Sequence, residues 1–425
     1  MRRAWLVVTC LAVVSCGGTP NSDGRIIEVF GPYRNLEADN FAASLRQFED
    51  DTGLRVRYTG SADFVKDLTQ RVEGGISAPD IAIVPQPGVV DELAAADRLV
   101  PLDEESVQTL RDNYPPELIE QSADGDIVSA PSRESIKSLV WYRPSVFEAR
   151  DWTVPTTLDE LNTLVDRIQQ DSGDGNPIAP WCFALQSGSA TGWAATDWVE
   201  DLVLRQAGPE VYDEWAAGER GFGDPAIREA LTTFDELVLG QGRTAGGLRA
   251  VLQTDVTEGS TPLFADQPGC AMYKQASFAE SWFPDGTVIG TDVDFFVLPG
   301  TDADSLAPLV AGGDSLVQFS DDPDVNRLMA FLISPDGSEV WAGRGGYYSG
   351  LTTVDLDTYY TETDRRFAEL LRDGREFRFD ASDLMPSAIG SGLLWQEITS
   401  WISGTTTLDE FVATMDAAYA DAPAG

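Results

Sequence analysis

Between residues 26 and 84 short apolar runs alternate with amphipathic stretches, and this alternation restricts the fold more than any other feature of the chain. Residues 26–30 form a strand candidate closed by Gly31-Pro32, and residues 36–50 repeat apolar positions at helical spacing (Phe41, Leu45, Phe48) before stopping at Thr52-Gly53. A second strand is expected at 54–58, a helix at 63–73 (Phe64, Leu68, Val72) and a third strand at 81–84, ended by Pro85-Gln86-Pro87-Gly88. This β-α-β-α-β order predicts a parallel sheet with helices on its faces, in which ligands bind beyond the carboxyl ends of the strands. The loops 31–35, 60–63 and 85–88 should therefore share one rim and present Tyr33, Ser61, Asp63 and Gln86. Ser61 and Asp63 are also good helix caps, a local role that competes with binding.

At 425 residues the chain is too long for one ordinary core and fits two lobes. Its 70 acidic and 29 basic residues leave a net charge of −41, which repels phosphate backbones and argues against a nucleic-acid partner. Histidine is absent, which removes the Ser-His and Cys-His nucleophile pairs and the commonest zinc ligand. An enzyme is thus disfavoured, and no metal or cofactor is called for. Carboxylate chemistry stays open, yet among 70 Asp and Glu no pair stands out.

The first residues read as an address. Arg2-Arg3 precede an apolar stretch, 5–14, that is too short to span a bilayer, and Val13-Val14-Ser15-Cys16 follows. This resembles a bacterial lipoprotein signal, which implies cleavage before Cys16, acylation of that cysteine and a membrane anchor. Residues 17–24, rich in Gly, Ser, Pro and Asn, would be a flexible tether. Cys10 is then lost with the signal, and Cys182 and Cys270 remain. In an oxidising compartment they read as one disulfide, two buried thiols being the alternative.

Residues 181–201 concentrate candidate binding chemistry. Thr191 is a plausible N-cap, 193–207 runs without Pro or Gly, and Gly208-Pro209 supplies a stop. Trp198 shares a helical stripe with Val199, Leu202 and Val203 and belongs to a core, whereas Trp193 lies off the stripe. Trp193 with Asp197 offers an indole face beside a carboxylate, which suits the apolar C–H face and the hydroxyls of a pyranose. Further on, a strand at 135–142 leads out of the first lobe, Thr157 to Glu160 and Thr407 to Glu410 are capping boxes, and Gly312-Gly313-Asp314 interrupts an apolar run.

The order of F-E-D-D-T-G-L-R-V-R-Y, A-P-D-I-A-I-V-P-Q-P-G, S-L-V-W-Y-R-P, G-G-D-S-L and E-V-W-A-G-R-G-G-Y-Y-S resembles the family 1 extracellular solute-binding proteins of sugar ABC importers. T-G-W-A-A-T-D-W-V-E-D, the flanking cysteines and R-F-D-A-S-D-L-M-P look most like its α-glucoside-binding branch. The resemblance implies an α/β, two-lobed periplasmic-binding-protein fold (maltose-binding-like) with a ligand cleft between the lobes. It implies a first lobe of 25–139 plus 308–346, a second of 140–307 plus 347–425, and a monomer that hands its sugar to a permease. Carried over by position, the ligand set is Tyr33, Ser61, Asp63, Gln86 and Asp314 on one side, facing Trp141, Trp193, Asp197, Tyr347, Arg378 and Asp383. Asp380 and Asp383 have a competing role as loop-ordering carboxylates with Arg378 as their ion-pair partner. Asp314 stands where several relatives carry an aromatic. The rival readings are a binder of peptides or polyamines on the same fold, and an exported carboxylate-dependent glycosidase.

Overall fold

The computed structural model describes residues 25–74, 78–114, 119, 125–171, 178–348, 351 and 353–421. The expected signal, Cys16 and the tether lie outside them. Ten strands are found among the described residues: β1 (Ile26–Gly31), β2 (Arg55–Gly60), β3 (Ile81–Val84), β4 (Ser129–Ile136), β5 (Leu139–Tyr142), β6 (Ala179–Cys182), β7 (Cys270–Lys274), β8 (Asp294–Val297), β9 (Leu309–Gln318) and β10 (Phe377–Phe379). They form two sheets, one in the order β10-β9-β3-β1-β2 with β4 also paired to β9, the other β6-β7-β5-β8.

The expected parallel pairing holds for β1 with β2 and with β3, and the long strand β9 then joins antiparallel to β3. All four residues of β3 are buried, as a strand covered on both faces requires. β2, with Arg55 and Arg57, closes the edge with charge. The single helix expected at 36–50 is two, Asn35–Ser44 and Arg46–Thr52, and at the joint the Ser44 hydroxyl donates to the Phe41 carbonyl (2.7 Å).

The strand expected at 135–142 is likewise two. β4 ends in the first sheet at Ile136, β5 begins in the second at Leu139, and Lys137-Ser138 is the step between them. The chain returns between β8 and β9. Strand β10, within the stretch expected to belong wholly to the second lobe, pairs in parallel with β9 of the first sheet. Cys182 and Cys270 are disulfide-bonded with Cα atoms 5.3 Å apart, joining the neighbouring strands β6 and β7.

Helix Trp193–Ala207 has the expected bounds, but its cap is Gly192 rather than Thr191. Thr191 spends its hydroxyl on the Gly188 carbonyl (2.8 Å). Gly192 has φ +122°, and a Cβ there would lie 2.4 Å from the Trp395 carbonyl oxygen, so glycine is what lets the helix start against that segment. Trp198 is core, set edge-on to Trp181 at 4.8 Å. One buried cluster joins Ile27, Val29 and Leu316 of the first sheet to Trp141, Tyr273 and Phe295 of the second, while Val140 and Trp181 pack with helices on the opposite face. No helix among the described residues is long and apolar enough to cross a membrane.

Candidate ligand cleft

A cavity of about 390 Å³ lies where the carboxyl ends of β1, β2 and β3 face the turn before helix Trp193–Ala207 and the segment 380–395. Its volume falls within the range of roughly 300–1,000 Å³ usual for small-molecule sites. The three strand-end loops do share one rim, and Tyr33, Ser61 and Gln86 line the cavity together with Asp314, Trp193 and Asp383. Aromatic surface comes chiefly from the other side, as Trp193, Phe278, Trp282 and Trp395.

The first-sheet wall is built around a buried cation. Arg133 lies over the Tyr33 ring, 4.4 Å from its centroid, and donates to Glu37 (2.8 Å) and Asp314 (3.2 Å). Tyr33 donates its hydroxyl to the same Asp314 oxygen (2.6 Å), and burial, with that carboxylate alongside, pushes the phenol well above its ordinary pKa. Ser61 is held locally, donating to Asp67 (2.6 Å) and accepting from the Asp63 amide (3.1 Å). Asp63 precedes a helix without capping it. Its carboxylate reaches across the cleft mouth to the Ser189 amide (3.1 Å) and hydroxyl (2.9 Å), and these bonds lower its pKa. Ser387 makes a second crossing to Glu92.

A second buried cation organises the opposite wall. Lys137 pairs with Asp380, with Asp197 (3.1 Å) and with Asp383 (3.8 Å). Burial pushes Asp197 up to about 7 against the pull of Lys137. Burial and the neighbouring Asp380 charge also push Glu200 and Asp383 well above the carboxylate range. Burial opposes ionisation of Asp380 as well, but the Lys137 ammonium and the hydrogen bonds Asp380 receives outweigh it and hold that group low. Glu200 accepts from the amides of Ala381 (3.0 Å) and Ser382 (3.3 Å), which fixes the 380–383 turn at the cavity. Asp197, Glu200 and Asp380 are close enough together for a metal ion, but the Lys137 ammonium already serves as the cation for this group.

Five candidates do not line the cavity: Asp63, held at its mouth, and four that stand elsewhere. Asp197 lies behind Lys137 and does not line the cavity. Trp141 is buried among Phe283, Phe295 and Phe367, its indole N–H given to the Gln275 carbonyl (2.9 Å). As a β5 residue it faces the shared core, because strand alternation turns it away from the side that Val140 occupies. Tyr347 is buried, stacked on Trp341 (4.6 Å) and bonded to the Ser338 hydroxyl (2.8 Å). Arg378 sits on the edge strand β10 and pairs with Asp213 (2.7 Å) and Glu376 (2.6 Å), so the partner of Asp380 and Asp383 is Lys137 instead. The sequence reading missed Arg133 and Lys137, though Arg133, Ser135 and Lys137 follow the period of two that sends alternate residues to one side of an extended chain, and all three line the cavity. It also missed Phe278, Trp282 and Trp395.

Residues 35–339 match the model of the bacterial extracellular solute-binding proteins. The chain belongs to this family. The α-glucosides-binding periplasmic protein AglE of Rhizobium meliloti (strain 1021) is 35% identical over 396 residues, covering 91% of this chain and 85% of the relative. The osmoprotective compounds-binding protein GgtB of Synechocystis sp. (strain ATCC 27184 / PCC 6803 / Kazusa) is 34% identical over 404 residues, 94% of each. Among solved structures, the bacterial solute receptor AcbH superposes with a TM-score of 0.78 at 16% identity, covering 93% of this chain and 97% of that one. This solute-binding protein therefore has the expected maltose-binding-like α/β fold and is the extracellular solute-binding component of an ABC transporter.

Proposed function

We propose that this solute-binding protein captures an α-glucoside, such as trehalose, maltose or sucrose, and delivers it to the permease of an ABC importer from a membrane anchor at acylated Cys16. The observation that carries the reading is the composition of the cleft: Trp193, Phe278, Trp282 and Trp395 on one side and the polar rim of Tyr33, Gln86 and Asp314 on the other. Aromatic faces stack sugar rings, carboxylates and amides engage hydroxyls, and closure removes water. The likeness to AglE, an α-glucosides-binding protein at 35% identity, supports the same ligand class.

In this reading the two sheets are the centres of two lobes, 25–139 plus 308–346 and 140–307 plus 347–425, with β10 returning to the first. Ligand bridging both walls biases an open-closed equilibrium, which the permease reads. The protein works as a monomer, needs no metal or cofactor, and releases its ligand unchanged. The name of GgtB favours a second reading, in which the ligand is an osmoprotective solute. A thermal-shift panel of mono- and disaccharides with osmoprotective solutes separates the two, because a ligand that binds only the folded state raises the melting temperature. A selective shift with one α-glucoside is expected, and no shift with any sugar overturns the proposal.

A further inference from the structure

Each buried cation at the cleft is already matched. Arg133 faces Glu37 and Asp314, and Lys137 faces Asp380, Asp197 and Asp383. The side chains of Arg133, Lys137, Asp314, Asp380 and Asp383 are all less than one-tenth exposed, so these pairings operate out of water. Among the described residues lining the cavity, the other cations, Arg34 and Lys66, are exposed at its mouth. An anionic group on a ligand would thus meet carboxylates and find its counter-charges engaged. A cationic group fares no better at the Lys137 wall, where the buried ammonium would repel it and already engages Asp380, Asp197 and Asp383.

We propose that this cleft is a charge filter: it admits uncharged polyhydroxyl ligands and rejects their uronate, phosphate and amino counterparts, with Asp314 as the residue that keeps Arg133 from serving as an anion receptor. This deepens the α-glucoside reading and rests on it for the choice of probe. Burying an unpaired charge is expensive, whereas a hydroxyl pairs with donor or acceptor alike.

The test is calorimetric titration at pH 7 of the mature chain with trehalose, maltose and sucrose, with the analogue of whichever binds in which one CH₂OH is replaced by carboxylate, and with its 6-amino-6-deoxy analogue. Both charged analogues are expected to bind about tenfold or more weaker than the parent. Asp314→Asn is expected to raise the affinity of the carboxylate analogue relative to the parent sugar, with circular dichroism checking that the variant folds. A charged analogue within threefold of the parent overturns the filter, and so does a folded Asp314→Asn that leaves the ratio unchanged. If that variant fails to fold, the wild-type comparison decides alone. Should no α-glucoside bind, the same titrations with sorbitol, spermidine and glucuronate settle the matter separately. Binding of the uncharged solute removes the α-glucoside reading and keeps the filter, binding of a charged one removes both, and binding of none leaves the filter without a ligand to admit and overturns it.

Discussion

Replacing Lys137 by methionine removes the cation on which Asp197, Asp380 and Asp383 converge and keeps most of the side-chain volume. Breaking a buried ion pair from one side costs about 3–5 kcal/mol. The pH dependence of that loss is the sharper test. In the wild-type fold Asp380 is held ionised and Asp197 titrates at about 7, Lys137 being the leading influence that lowers each. Without the ammonium both groups rise, and because Asp197 of the wild type releases its proton at about 7, the folded variant holds more protons than the wild type as pH passes through that value. The unfolded chains bind equal numbers of carboxylate protons, and the lysine stays protonated in both wild-type states. Stability falls with pH wherever the folded state holds an extra proton, so the gap between the proteins widens toward pH 8, by up to about 1.4 kcal/mol per pH unit for each such proton. Urea unfolding followed by tryptophan fluorescence at pH 5, 6, 7 and 8 measures it. A gap that stays constant, or narrows toward pH 8, refutes the electrostatic account of the cluster.

Trp193→Ala should weaken sugar binding by about 1–3 kcal/mol with the fold intact, read by calorimetry; unchanged affinity removes Trp193 from the site. Asp63→Ala deletes the bonds to Ser189 across the cleft mouth and should speed ligand dissociation about threefold to tenfold with little change in association, measured by stopped flow. Equal dissociation rates would show that this crossing does not hold the closed state. Glu280, buried beside Asp364 and bonded to Tyr348, is pushed up by burial to about 8 from an ordinary 4.5. Its contribution to stability is complete below pH 4.5 and is lost as pH rises toward 8, by about 1.4 kcal/mol per unit at the steepest. Glu280→Gln, which stays neutral, should flatten the fall in melting temperature between pH 5 and 8, and parallel curves for the two proteins would refute the shift.

The legible part of this fold was the part written in local pattern. Residues 26–84 showed strand, helix and turn signals in order, and the rim that positions Tyr33, Ser61 and Gln86 followed from the geometry of parallel strands alone. Helix Trp193–Ala207 was bounded correctly because nothing interrupts it and Gly208-Pro209 stops it. Its cap was misread because the choice of Gly192 is made by Trp395, two hundred residues away, through a contact no local rule contains.

The cleft's electrostatics were illegible for the same reason. Arg133 and Lys137 look like solvated residues in a polar stretch, since a charged side chain is buried only when partners arrive from elsewhere in the chain. Those partners are Glu37 and Asp314 for one, and Asp197, Asp380 and Asp383 for the other, drawn from both sides of the cleft. Lys137 itself stands at the step from β4 of one sheet to β5 of the other, with carboxylates that the second wall supplies. The residue that holds the cleft charges in balance is therefore also part of a crossing between the sheets. A substitution there disturbs ligand recognition and the inter-sheet step together, whereas Asp314→Asn, within β9, alters the balance and leaves the crossing in place.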